Sequence, residues 1–180
     1  MHRVPLACLL LMTLSLAGCG SSISSRAGAF VGGPVRLECA PFARVLSHVR
    51  LYGEAADWWW QADGRYARSR TPEPGSVLVF GRSGRLPSGH VAVVSRVVSA
   101  RQILVTQANW VHNRVTADQP VIDVSPRGDW SLVRVWWPPS GQMGTGDYLA
   151  LGFIRAVWPA THDKIAAATP GAIRGALSGP

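Results

Sequence analysis

Two apolar runs separated by a tight turn constrain this chain more than any other feature. His90-Val91-Ala92-Val93-Val94-Ser95-Arg96-Val97-Val98 and Gln102-Ile103-Leu104-Val105-Thr106-Gln107-Ala108-Asn109-Trp110 are rich in strand-forming residues, and Ser99-Ala100 marks a turn between them. The two runs are expected to pair as an antiparallel hairpin. With the turn centred between Ser99 and Ala100, His90 lies opposite Asn109 and Ala92 opposite Gln107. Because side chains alternate across a strand, His90, Gln107 and Asn109 then share one face of the sheet, and an amide stands beside the imidazole to fix its orientation.

The rest of the chain supplies partners for this hairpin. Ser76-Val77-Leu78-Val79-Phe80, after the Pro72-Glu73-Pro74-Gly75 turn, reads as a strand, and Val121 to Val124 and Trp130 to Trp137 read as two more. Ahead of them, Pro41 suits only a first helical turn, and Phe42, Val45, Leu46 and Val49 recur at helical spacing, which predicts a helix from Cys39 to about Leu51. Gly53 is the expected stop, and a second short helix follows over the Trp58-Trp59-Trp60 triplet, whose rings cannot all face one way. Helices first and antiparallel strands after give an α+β domain, with N-terminal helices packed on a sheet. From Pro159 onward the chain is rich in Ala, Gly and Pro without sustained periodicity, which predicts a disordered tail over residues 158–180.

Cysteine usage sharpens the picture. Met1-His2-Arg3, the apolar run from Leu6 to Leu16 and the small residues Ala17-Gly18 make a signal peptide over residues 1–18, too short to be a stable transmembrane anchor. Leu16-Ala17-Gly18-Cys19 resembles a bacterial lipobox, which implies lipidation of Cys19; Gly20 after it resembles the pattern that sends such proteins to the outer membrane, facing the periplasm. Residues 19–33 are small and polar enough for a flexible tether, and the domain itself is expected over residues 34–157. If Cys8 leaves with the signal and Cys19 takes lipid, as the lipobox resemblance implies, Cys39 is left without a disulfide partner. A free thiol in an oxidising compartment is easiest to explain by reactivity, and at a helix N-terminus unpaired N–H groups and the helix dipole favour its thiolate.

The formal charge of +8, from 18 Lys+Arg against 10 Asp+Glu, points to an anionic neighbourhood such as the cell wall or membrane headgroups. The basic residues are scattered and no nucleic-acid motif is present, so no nucleic-acid partner is expected. No Cys, His and carboxylate set has zinc spacing, so neither a metal nor another cofactor is expected.

A thiol at a helix start, a histidine opening a strand and an amide on the next strand are the parts of a papain-like cysteine hydrolase. The motifs Leu37-Glu38-Cys39-Ala40-Pro41-Phe42-Ala43-Arg44, Tyr52-Gly53-Glu54-Ala55, Pro74-Gly75-Ser76-Val77-Leu78-Val79-Phe80, Gly89-His90-Val91-Ala92-Val93-Val94, Gln107-Ala108-Asn109-Trp110 and Gly152-Phe153-Ile154 together resemble the CHAP family of cysteine- and histidine-dependent amidohydrolases/peptidases. The resemblance implies a papain-like fold and cleavage of amide bonds in peptidoglycan, either as an N-acetylmuramoyl-L-alanine amidase or as a peptide-crosslink endopeptidase. It implies Cys39 as nucleophile, His90 as general base and acid, and Asn109 as the residue orienting the ring, with Gln107 as a secondary orienter. Family members commonly carry Glu where this chain has Gln107, and a neutral amide there would orient the ring without adding charge. Trp110, Trp58 and Arg85 are candidate substrate contacts. Peptidoglycan is the expected partner, with the membrane held through Cys19 and the protein a monomer. The competing reading is a catalytically degraded lipoprotein that binds or scaffolds the wall.

Overall fold

A computed structural model describes residues 27–155 and 160–178 of the 180-residue chain. Residues 1–18, expected as a signal peptide, and Cys19, expected as the lipidation site, lie outside the described residues. The strands are β1 (Ala29–Phe30), β2 (Arg68–Ser69), β3 (Val77–Phe80), β4 (His90–Ser99), β5 (Gln102–Ala108), β6 (Val115–Asp123), β7 (Leu132–Trp137), β8 (Gln142–Met143) and β9 (Tyr148–Ile154). The α-helices are α1 (Cys39–Ser47), α2 (Trp58–Gln61) and α3 (His162–Leu177), and a single 3₁₀ turn, Ala55–Asp57, leads into α2.

The hairpin forms as expected where it matters: Val93 pairs with Thr106 and Val94 with Val105, in the register centred on Ser99 and Ala100. Beyond Val94 two irregularities shift the pairing toward the tip. On one side β4 pairs with β3, and on the other β5 pairs with β6. The ends of this ribbon then meet, because β6 also pairs with β7, β7 with β9, and β9 with β3. Six antiparallel strands therefore close into a barrel.

This closure overturns the expected papain-like α+β arrangement of helices on an open sheet. The protein is mostly β. Two strands were decisive: Val115–Asp123 extends well ahead of the expected Val121–Val124, and Tyr148–Ile154 was not foreseen as a strand. Bulges between Val79 and Phe80, Val94 and Arg96, and Val105 and Gln107 bend the strands enough for the ends to join.

Closure gives the strands two buried faces. Leu78, Phe80, Ala92, Val94, Ile103, Val105, Val121 and Phe153 fill the barrel, while Val77, Val79, Val91, Val93, Ala108 and Ile154 pack outward against α1, α3 and Trp58. That is why Val77-Leu78-Val79-Phe80 is apolar at every position and buried at every position. Helix α1 ends at Ser47, short of the expected Leu51, because His48 adopts a left-handed C-cap conformation (φ 60°).

The two ends of the domain also differ from expectation. Ala29 and Phe30 pair with Ala117 and Thr116, so part of the segment expected as a tether is a strand on β6. In place of a disordered tail, His162–Leu177 is a helix capped by the Thr161 hydroxyl, and Ile165, Thr169 and Ala172 are its buried residues. No helix among the described residues is long and apolar enough to cross a membrane.

Candidate active site

Cys39 is the first residue of α1 and stands beside His90, the first residue of β4. Gly89, one residue earlier, seats the start of β4 closely against the Ala55–Asp57 turn and the end of β3. Its φ is +72°, and an added Cβ would lie 2.6 Å from both the Ala56 Cβ and the Phe80 carbonyl oxygen. The His90 ring is buried, with the Phe80 ring 5.6 Å and the Trp110 ring 5.1 Å away, both edge-to-face. Its Nε2 lies 2.8 Å from Gln107 Oε1, and the ring is also hydrogen-bonded to Cys39.

The electrostatics of the pair are cooperative. Burial opposes ionisation of Cys39 most strongly, but the charge of His90, a hydrogen bond to its ring and the Val91 backbone N–H outweigh it, and the thiol sits below its ordinary pKa despite opposition from Glu38. Burial likewise opposes protonation of His90. The Cys39 thiolate, the hydrogen bonds to Cys39 and Gln107, and the Glu38 charge reverse that, so the imidazole is raised above its usual value. Each group is moved toward its charged form, and the thiolate is the form in which a cysteine is nucleophilic.

Asn109 stands elsewhere than expected. Its backbone is left-handed (φ 61°), its Nδ2 donates to Glu38 Oε2 at 2.9 Å and its Oδ1 accepts from the Asn113 N–H at 2.9 Å. The amide beside the His90 ring is that of Gln107, the secondary candidate, and not that of Asn109. The shared face was right, but β5 ends at Ala108 and the chain turns away there, carrying Asn109 to the rim.

Of the candidate substrate contacts, Trp58 is not available. It is 0% exposed, packed in the core between helices and barrel, whereas Trp60 of the same triplet is 65% exposed. Trp110 and Arg85 do flank the site. Trp110 forms an aromatic wall with His90, Phe80 and Tyr148, and the Arg85 guanidinium lies 4.9 Å from the centre of the Tyr148 ring. Arg82, a neighbouring basic residue, is held by Glu54 and Asp57. An open cleft of about 650 Å³ contains Cys39, His90, Asn109, Glu38, Arg44 and Arg85 on its walls. Among the described residues no group of three His, Cys, Asp or Glu side chains could hold a metal.

Sequence reading missed Glu38, Tyr148 and a second buried glutamine, Gln119, whose Oε1 accepts from Gln107 Nε2 at 2.9 Å. A polar residue two positions before the apolar Val121 was a visible signal, but only with β6 extended to Val115 does it enter the sheet.

Residues 28–109 match the family model described as CHAP domain. Among solved structures, "The crystal structure of Ly7917" aligns with 73% of this chain and 57% of its own, at 17% identity and a TM-score of 0.38. "The crystal structure of Ly7917 with the hydrolyzing product of MDP" aligns with 72% and 58%, at 18% identity and a TM-score of 0.39. The aligned part is thus less than two thirds of those chains. No curated protein matches this chain.

Proposed function

We propose that this chain, whose residues 28–109 match the CHAP domain family model, is a peptidoglycan hydrolase that cleaves an amide bond with Cys39 as nucleophile. The observation that carries this reading is the juxtaposition of Cys39 and His90 on the wall of an open cleft, each shifting the other toward its charged form. In the first step the Cys39 thiolate attacks the amide carbonyl carbon. The C–N bond breaks as His90 Nδ1 gives its proton to the leaving amine, and a thioester remains on Cys39. Water then attacks the thioester carbonyl while His90 takes its proton; the C–S bond breaks, the acid leaves and the thiolate returns. The Cys39 N–H, at the first helical position with no intrahelical acceptor, supports the developing oxyanion.

The neutral Gln107 raises the competing reading of an inactive wall-binding protein, and one experiment separates the two. Mature full-length protein is incubated with purified peptidoglycan and the soluble fragments are identified by mass spectrometry. Release of new amine and carboxyl ends, abolished by Cys39→Ala, is the expected result. No release, together with a Cys39→Ala protein that binds wall and serves the cell as the parent does, would establish the scaffold instead. We infer from the resemblance of Leu16-Ala17-Gly18-Cys19 to a lipobox that the enzyme works from the periplasmic face of the outer membrane. Incorporation of a labelled fatty acid that is lost in Cys19→Ala checks that inference.

A further inference from the structure

Two buried glutamine amides form a single line behind His90. Gln119 Nε2 donates to the Trp136 carbonyl oxygen at 2.6 Å, Gln107 Nε2 donates to Gln119 Oε1 at 2.9 Å, and Gln107 Oε1 faces His90 Nε2 at 2.8 Å. The Thr116 hydroxyl also donates to Gln119 Oε1. Thr116, Gln107 and Gln119 are all buried, so water cannot substitute for a lost partner.

The direction of this line is set at its far end. A backbone carbonyl can only accept, so the Gln119 atom against Trp136 must be its nitrogen, and its oxygen must face Gln107. That oxygen already accepts from Thr116 and can meet Gln107 only through the Gln107 nitrogen. The Gln107 oxygen is then the atom left for His90, and it requires a proton on Nε2. We propose that Gln119 is a positioning residue: through the orientation of the Gln107 amide it fixes a permanent proton on His90 Nε2, so that Nδ1 alone exchanges protons with Cys39. The proposal rests on the reading of Cys39 and His90 as the reacting pair.

It also accounts for Gln107 where the family resemblance led us to expect Glu. A carboxylate has no donor, and one of its oxygens would confront Gln119 Oε1. Gln107 and Gln119 are therefore matched to each other. The titratable groups acting on His90 are Cys39 and Glu38, both from the start of α1, while its neighbours Gln107, Phe80 and Trp110 carry no charge.

Two measurements on the full mature chain test this. The first needs no altered barrel: nitrogen NMR of ¹⁵N-histidine-labelled protein at a pH above the His90 titration, with the His90 signals assigned by their absence from His90→Ala. Protonated Nε2 and bare Nδ1 are expected, and the opposite tautomer overturns the proposal. The second is a double-substitution cycle read by the rate of Cys39 alkylation at mildly acid pH, with melting curves to confirm that each protein is folded. Gln119→Met is expected to slow alkylation about tenfold, the effect of one charge-assisted hydrogen bond losing its geometry. Gln107→Glu should help alkylation about tenfold more when combined with Gln119→Met than when made alone, because the confronting acceptor is gone. Equal effects in both backgrounds overturn the proposal. Neither readout uses peptidoglycan, so a protein that passes both yet releases no wall fragments would refute the hydrolase and leave the relay standing.

Discussion

At the scale of single residues, charge and partner choice decide what Cys39 does. Its pKa is lowered and that of His90 is raised. The thiolate is lost as pH falls through the lowered Cys39 value, and the imidazolium is lost as pH rises through the raised His90 value. Alkylation of Cys39 followed against pH should therefore begin below the range of an ordinary thiol, and removal of the ring in His90→Ala should shift its onset upward. Gln107 and Asn109 separate in the same kind of test. Gln107→Ala removes the partner of the ring and is expected to cut the rate of fragment release at least tenfold, the size of one charge-assisted hydrogen bond. Asn109→Gly keeps the left-handed backbone and should cost far less, whereas Asn109→Ala, which resists that conformation, should lose about 1–2 kcal/mol in a denaturant melt on that account alone. That Cys39, His90 and Gln107 could come together was legible in sequence. Their ranking was not, because a strand pattern does not show where pairing stops, and it stops one residue before Asn109.

At the scale of elements, small residues and weak patterns carry more than they announce. Gly89 seats the start of β4 against the Ala55–Asp57 turn and β3, and Gly89→Ala would force a methyl against the Phe80 carbonyl and Ala56. A loss of about 1–3 kcal/mol from overpacking is expected, with a fall in melting temperature and a slower Cys39 reaction, since His90 must shift with it. Helix α3 teaches the opposite lesson. Ile165, Ala168, Thr169, Ala172, Ile173 and Ala176 do recur at helical spacing, and Thr161 is a proper cap, but alanines make a faint stripe and Pro170 inside the helix argues against one. The helix forms because its stripe lies on α1 and the outer barrel wall, which contribute burial that local propensity does not predict. Ile165 is 0% exposed there, so Ile165→Ala should destabilise by about 2–5 kcal/mol in a calorimetric or denaturant melt.

At the scale of the whole molecule, the charge of +8 belongs to the chain rather than to any element, and it predicts that binding to isolated cell wall weakens as salt is raised, because screening shortens the reach of surface charge. Cosedimentation across a salt series measures this; binding indifferent to salt would assign the interaction to the cleft alone. Sequence alone was enough for the local setting of the site: a thiol at a helix start, a hairpin whose register puts a histidine and an amide on one face, and motifs resembling one family. Those features rest on short-range rules of turn, alternation and capping, which neighbouring residues obey wherever the chain goes. Tertiary structure alone decided that the sheet closes. Closure depends on bulges and on β6 pairing with β7 and β7 with β9, and no local rule scores pairings between segments so placed. Closing the barrel gave the face that carries His90 and Gln107 a sealed interior, where an amide without a partner is costly, and so brought Gln119 and the Trp136 carbonyl into line behind them.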